Sequence, residues 1–186
     1  MVHIVLFHSV LGLRPIEGEI AAVFEADGHS VTLPDLYGGQ ASDDYDAGFA
    51  LHREIGEEAI AARAEAAMKD VPEDAVLAGV SFGTMLASRY CARRSRTKGV
   101  LFFAGVAPWE AAPRPGLPVS AHVAEPDPFD DEDYFADWEE KAGEAELELY
   151  RYPEVGHYFL DPALEDYDEA AARLCLDRSR AFLKAV

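Results

Sequence analysis

The chain has 186 residues, of which 49% are hydrophobic and 27% are charged. This length and composition fit one soluble domain with a sizeable core, and they exclude a long disordered segment. The formal net charge is −19, from 35 acidic and 16 basic residues. Such a surface repels phosphate backbones and anionic lipid, so neither a nucleic acid nor a membrane is an expected partner.

Strand patterns alternate with helical patterns along the whole chain. Strands are predicted at 3–8, 30–33, 75–78, 99–103, 119–123 and 146–150, the last of them with the alternation of an edge strand. Helices are predicted at 16–26, 49–69, from 84 to the basic run at 93–96, at 132–142 and at 168–184. This alternation predicts an α/β fold with about six mostly parallel strands, helices on both faces, and a single domain over residues 1–186.

The first residues give an expectation about location. Residues 1–7 are apolar, but they lack a basic leader and a small-residue cleavage site and are too short to cross a bilayer. We therefore expect a cytoplasmic protein. The two cysteines, Cys91 and Cys175, and the six histidines show no metal-ligand spacing, so no metal and no other cofactor is expected.

The motif Gly79-Val80-Ser81-Phe82-Gly83 stands between a strand pattern and a helical pattern. In that context G-x-S-x-G predicts a nucleophile elbow, because small residues two positions either side of the serine let the backbone turn sharply. Ser81 then lies at a helix N-terminus, where the backbone N–H of Phe82 can donate to a developing oxyanion. On the five residues alone, tight packing of a strand–helix turn is an alternative explanation.

An acid and a histidine follow the serine in the chain order of α/β-hydrolases. Ligands of parallel sheets bind beyond the carboxyl ends of the strands, and Ser81, Asp127 and His157 each follow a predicted strand. We expect Ser81 as nucleophile, His157 as general base and acid, and Asp127 as the carboxylate that orients the imidazole. Asp130, Asp131 and Asp133 remain alternatives for the acid, although all three can also cap the following helix.

The loop at 8–15 follows the first strand and reaches the same edge of the sheet. The backbone N–H of Val10 is the expected second oxyanion donor. The candidate residues for the wall of the substrate pocket are His8, Ser9, Arg14, Trp109 and Tyr158.

Motifs spread over almost the whole chain resemble the dienelactone hydrolase family. The segments that carry the resemblance are HSVLGLRP at 8–15, LPDLYGG at 33–39, GVSFG at 79–83 and YPEVGHYF at 152–159. The resemblance implies an α/β-hydrolase fold, cleavage of esters and lactones, and a nucleophile, acid and histidine at Ser81, Asp127 and His157.

The chain also departs from the type members of that family. They carry cysteine where this chain has Ser81 and a glutamate where it has Ser9, and further strands precede their first parallel strand. We therefore expect a short version of the fold, and we do not carry over the family's substrate specificity.

The leading hypothesis is a serine hydrolase of small esters or lactones that acts through an acyl-enzyme intermediate. A thioesterase or acyltransferase with the same three residues, and a catalytically silent binding protein, are the alternatives. A monomer and a homodimer are equally compatible with the sequence. Because Arg14 and Arg151 are the only cations near the predicted site, we expect neutral substrates to be preferred over carboxylated ones.

Overall fold

The computed structural model describes all 186 residues and contains six strands and six helices. The strands are β1 (His3–Phe7), β2 (Ser30–Thr32), β3 (Val76–Val80), β4 (Val100–Phe103), β5 (Pro118–Glu125) and β6 (Glu146–Pro153). The helices are α1 (Pro15–Ala26), α2 (Tyr45–Ile55), α3 (Glu57–Met68), α4 (Gly83–Arg93), α5 (Glu132–Lys141) and α6 (Glu169–Ala185). None of these helices combines the length and the apolar character needed to cross a bilayer.

The six strands form one sheet in the order β2-β1-β3-β4-β5-β6, and every neighbouring pair is parallel. The predicted fold class is therefore confirmed, with β6 at an edge. The order of the strands reverses between β1 and β3, and a ligand crevice opens beyond the carboxyl ends of the strands at such a point. The loops after β1 and β3 meet there.

Two apolar layers cover the sheet, one on each face. Residues Ile4, Leu6, Val76, Leu101 and Phe103 point to the layer that α1 and α6 cover. The alternate residues of the same strands point to the layer covered by α3, α4 and α5. Strands that are buried on both faces read as continuous apolar runs, which explains why four of the six were visible in the sequence as short apolar segments.

The predicted helix at 49–69 is wrong in one respect, because the structure contains two helices there. Gly56 separates α2 from α3 with a φ of 80°, a conformation that glycine adopts without steric cost. Helix α2 also begins earlier than expected, at Tyr45, where the Asp44 side chain caps it by accepting a hydrogen bond from the Ala47 N–H at 2.8 Å. This earlier start brings a turn of helix to the crevice.

Candidate active site

Ser81 lies on the turn between β3 and α4 in a left-handed backbone conformation, with a φ of 48°. Residues with a Cβ rarely adopt this conformation, so the surrounding structure must hold it. The Ser81 N–H donates to the Phe103 carbonyl at 2.8 Å, and the Ser81 carbonyl accepts from the Thr84 N–H at 2.9 Å and from the Thr84 hydroxyl at 2.6 Å. These three bonds fix the serine at the end of the strand.

The two glycines of the motif are required by close contacts of the backbone. A Cβ on Gly79 would lie 2.3 Å from the backbone carbonyl of Gly83, and a Cβ on Gly83 would lie 2.2 Å from the carbonyl oxygen of Phe7. The sequence left open whether the glycines serve tight packing or the turn at the serine. In the structure the glycines serve both purposes. They let β1, β3 and α4 approach closely, and this approach keeps the turn at Ser81 sharp.

The structure brings Ser81, His157 and Asp127 into one hydrogen-bonded chain. The Ser81 hydroxyl lies 2.9 Å from Nε2 of His157, and Nδ1 of His157 lies 2.7 Å from Oδ2 of Asp127. A carboxylate only accepts, so Nδ1 carries the proton and donates it, and Nε2 is left to accept from the serine. The Asp127 side chain is fully buried, and its other oxygen accepts from the Phe129 N–H at 2.9 Å.

The structure also separates the candidate acids, of which Asp133 is exposed on α5. Asp131 caps α5 by accepting from the Tyr134 N–H at 2.8 Å, which is the role that the sequence allowed for it. Asp130 lies beside the imidazole without a hydrogen bond to it: a Cβ on Gly105 would lie 3.4 Å from Oδ2 of Asp130 and 3.5 Å from Cε1 of His157. Burial, and after it the nearby charge of Asp127, raises the pKa of Asp130 to about 6.

The two backbone N–H groups expected at an oxyanion site, those of Val10 and Phe82, donate to no backbone carbonyl, and the Val10 N–H faces the phenol oxygen of Tyr158. Both residues line the same cavity as Ser81. Helix α2 packs closely against the loop that carries Val10, since a Cβ on its Gly48 would lie 3.0 Å from the Val10 carbonyl oxygen. Two N–H groups that have no backbone acceptor and line the cavity of Ser81 suit a ligand oxygen.

A cavity of about 290 Å³ opens above Ser81 and His157, and 11 of its 18 lining residues are hydrophobic. Its mouth carries Phe49, Met85 and Phe129, with 40%, 46% and 51% of their surfaces exposed. The lining includes no lysine and no arginine. Its one carboxylate is Asp130, which does not belong to the hydrogen-bonded chain of Ser81, His157 and Asp127. No three His, Cys, Asp or Glu side chains converge closely enough to bind a metal ion.

Of the five predicted pocket residues, Tyr158 lines this cavity. The prediction is wrong for His8 and Ser9, whose side chains form hydrogen bonds within the loops and do not line the cavity. Nδ1 of His8 donates to the Ser9 carbonyl at 2.7 Å and Nε2 accepts from the Leu36 N–H at 3.1 Å, so the ring fastens two loops together. The Ser9 hydroxyl accepts from the Leu11 N–H at 3.2 Å, and Ser9 faces a second, much smaller cavity.

The prediction is also wrong for Arg14 and Trp109. The buried Arg14 guanidinium binds Asp161 at 2.8 Å and also pairs with Asp43. Both ion pairs lie at the start of α1, so the charge of Arg14 is neutralised outside the cavity. Trp109 stacks on Trp138 with ring centroids 5.5 Å apart, inside the layer under α5. Both residues follow strands in the chain, but a position after a strand does not fix the direction of a side chain.

The sequence interpretation missed the contribution of α2, which supplies Tyr45, Phe49 and His52 to the cavity wall. Tyr45 stacks on Tyr158 at 5.3 Å, and Phe129 meets the His157 ring edge to face at 4.7 Å. The spacing of Tyr45, Phe49 and His52 places them on one helix face, a signal that was hidden because the helix start was placed too late.

A parallel sheet in this order, with a serine on a strained turn after β3 and a histidine on the loop after β6, defines an α/β-hydrolase. The chain belongs to the dienelactone hydrolase family, whose family model matches residues 1–186. The resemblance drawn from the sequence motifs is thereby confirmed. No curated protein matches the chain.

Solved structures share this fold at low sequence identity. A dienelactone hydrolase-like promiscuous phosphotriesterase from metagenomic libraries is 16% identical, with a TM-score of 0.76 over 99% of this chain and 86% of that chain. A proposed dienelactone hydrolase from Klebsiella pneumoniae subsp. pneumoniae is 15% identical, with a TM-score of 0.75 over 100% of this chain and 88% of that one. Esterase PE8 is 20% identical, with a TM-score of 0.64 over 100% of this chain and 92% of its own.

Proposed function

We propose that this protein is a serine hydrolase of small, neutral esters or lactones, with Ser81 as nucleophile, His157 as general base and Asp127 as the orienting carboxylate. The observation that carries the proposal is the hydrogen-bonded chain from the Ser81 hydroxyl through His157 to Asp127, at 2.9 and 2.7 Å. Membership of the dienelactone hydrolase family supports the same class of reaction.

The first half of the reaction is acylation of the serine. Ser81 Oγ attacks the ester carbonyl carbon while Nε2 of His157 takes the hydroxyl proton, and the carbonyl oxygen becomes an oxyanion. The N–H groups of Val10 and Phe82, which have no backbone acceptor, donate to that oxyanion. The tetrahedral intermediate collapses, the imidazolium returns the proton to the leaving alcohol oxygen, and an acyl-serine ester remains.

The second half regenerates the enzyme with water. Nε2 of His157 takes a proton from the water as its oxygen attacks the acyl carbon, and the second oxyanion forms at the same two N–H groups. Collapse of this intermediate releases the carboxylic acid and returns the proton to Ser81 Oγ. Throughout, the Asp127 carboxylate holds the ring through Nδ1 at 2.7 Å and stabilises the imidazolium.

The lining of the cavity supports a neutral substrate. The wall is mostly apolar, its free charge is the carboxylate of Asp130, and it holds no lysine or arginine that could bind an anion. Arg14 is committed to Asp161, and Arg151 pairs with Glu132 at 2.7 Å outside the cavity. An anionic group would therefore enter an apolar cavity next to a carboxylate, which costs free energy.

Hydrolysis of short p-nitrophenyl esters by purified variants tests the proposal. Ser81→Ala and His157→Ala should each lower kcat by several orders of magnitude, and Asp127→Asn by about 10⁴, because it favours the wrong tautomer of the imidazole. Ser95→Ala removes a hydroxyl from an exposed position outside the cavity and should keep wild-type kcat. Wild-type kcat in Ser81→Ala would refute the assignment.

A further inference from the structure

The hydroxyl group of Tyr158 is buried in the site and has no hydrogen-bond partner. The residue is 3% exposed, and its phenol oxygen has no hydrogen-bond partner of good geometry, although Ser81, Ser9 and the Val10 N–H lie near it. A buried polar atom without a partner costs free energy, so proteins keep few of them. Tyr158 follows His157 directly in the chain, and its side chain lines the cavity together with Ser81 and Val10.

The groups around the phenol place it beside the reacting atoms. Burial raises the pKa of Tyr158 to about 12, and the adjacent hydroxyls of Ser81 and Ser9 and the N–H of Val10 oppose that rise. The phenol therefore keeps its proton at neutral pH and is available as a donor. It faces both the Ser81 hydroxyl and the Val10 N–H.

The ring cannot easily turn away from this position. It stacks on Tyr45 at 5.3 Å and meets the His157 ring at 4.9 Å with an interplanar angle of 79°. Asp166 accepts a hydrogen bond from the Tyr158 N–H at 3.0 Å and another from the Tyr45 hydroxyl. The same carboxylate thus fixes the backbone of one tyrosine and the side chain of its stacking partner.

We propose that the Tyr158 hydroxyl is a third donor to the oxyanion, acting beside the backbone N–H groups of Val10 and Phe82. This inference rests on the proposed hydrolase function and adds a catalytic residue to it. The missing partner of the hydroxyl is then the negatively charged oxygen that develops on the substrate in each half of the reaction. A donor fixed before the reaction stabilises the transition state without the free-energy cost of reorganisation.

Glu17 offers a competing role for the hydroxyl. Its Oε1 is also buried without a partner, and it lies with Tyr158 and Ser9 around a second cavity of only about 10 Å³. A structural role of Tyr158 toward Glu17 would affect the stability of the fold and leave the rate of the reaction unchanged. The two roles therefore predict opposite results for removal of the phenol oxygen.

Tyr158→Phe removes that oxygen and keeps the ring. For a neutral p-nitrophenyl ester, kcat should fall about 100-fold, the loss typical of one oxyanion donor, with KM within about twofold of wild type. The dissociation constant of a boronic acid that adds to Ser81 should rise by a similar factor, because the adduct carries the oxyanion. The midpoint of the pH profile should stay unchanged, and the Tm should not fall, because the removed hydroxyl has no partner in the free protein.

Tyr90→Phe is the matched control, since it removes the hydroxyl of a buried tyrosine on α4 that does not line the cavity. It should keep wild-type kcat and boronic acid affinity. If Tyr158→Phe has a kcat within twofold of wild type, the third donor is excluded. A lowered Tm with unchanged kcat would assign the hydroxyl to Glu17 instead. Loss of activity in Ser81→Ala tests the proposed function separately, so that either claim can fail by itself.

Discussion

Two carboxylates flank the same imidazole, and their surroundings give them different properties. Asp127 accepts hydrogen bonds from the His157 ring and from the Phe129 N–H, whereas Asp130 faces the cavity beside Gly105 without bonding the ring. Burial and the charge of Asp127 raise the pKa of Asp130 to about 6. Asp127 therefore suits the orienting role, and Asp130 suits control of the charge that a substrate brings.

Asp130→Asn should relax the selection against anionic substrates. At pH 8 the Asp130 carboxyl is ionised, so its replacement should raise kcat/KM several-fold for a carboxylated p-nitrophenyl ester relative to its neutral counterpart. Below pH 6 the wild-type carboxyl is protonated, and the two proteins should show similar ratios. Asp133→Asn makes the same charge change at an exposed position of α5. An equal change of the ratio in both variants would mean that net charge alone sets the selection.

Glu17 is a buried carboxyl whose free energy of ionisation opposes folding at neutral pH. Burial raises its pKa from 4.5 to about 7, because the charged form is poorly solvated. The folded state therefore holds the proton more tightly than the unfolded state does. The stability that this group contributes is greatest below pH 4.5 and is lost as the pH rises to about 7.

Glu17→Gln should consequently stabilise the protein at pH 8 and have little effect at pH 4.5. Glutamine matches the protonated carboxyl in shape and keeps an oxygen to accept from the Arg14 N–H, which lies 2.9 Å from Oε2. The gain at pH 8 should reach up to about 3 kcal/mol, since each pKa unit corresponds to about 1.4 kcal/mol. Urea unfolding of both proteins at several pH values measures it. A difference that does not change with pH would contradict the assignment.

At the scale of elements, the site depends on how closely β1, β3 and α4 approach. Gly83 lies at the start of α4 against the carbonyl of Phe7, and the approach holds the loops after β1 and β3 side by side. These loops carry Val10 and Ser81. The position of Ser81 is thus set by the backbone contacts of Gly79 and Gly83 as much as by its own turn.

Gly83→Ala should destabilise the fold by several kcal/mol or prevent folding, because its Cβ would lie 2.2 Å from a backbone oxygen that cannot move aside. Gly18→Ala provides the control, since no atom lies within 4 Å of a Cβ at that position of α1. There, alanine should stabilise the helix by about 1 kcal/mol. Thermal unfolding compares the two, and similar Tm values for both variants would contradict the close approach.

The sequence predicted the elements and the order of the three central residues, because strand period, glycine spacing and chain order are local signals. It could not predict that α2 covers the site, since this depends on the break at Gly56 and the cap at Asp44. Nor could it predict where polar side chains point. His8 and Arg14 lie in the expected loop, but partners distant in the chain, at Leu36 and Asp161, turn them away from the cavity.

At the scale of the whole molecule, the net charge of −19 acts on stability and on substrate approach. Excess carboxylates repel one another across the surface, and this repulsion is screened by salt. The exposed ion pairs, such as that between Arg93 and Glu65 at 3.1 Å, contribute little to the free energy of unfolding, so salt that screens them costs little stability. Screening should therefore favour the folded state overall.

Raising KCl from about 10 mM to about 500 mM should increase the Tm, because the Debye length falls from about 30 Å to a few ångströms. The same change should raise kcat/KM for a carboxylated ester more than for its neutral counterpart, since only the anion is repelled by the surface. A scanning calorimeter and parallel assays measure both effects. A Tm that falls with salt would mean that ion pairs outweigh the repulsion.

Covalent labelling tests directly whether Ser81 is the nucleophile. A fluorophosphonate reacts with an activated serine hydroxyl, and peptide mass spectrometry locates the adduct. We predict one adduct per chain, on the peptide that contains Ser81, and its loss in Ser81→Ala. An adduct on another residue of the wild type, or equal labelling of Ser81→Ala, would show that Ser81 is not the nucleophile.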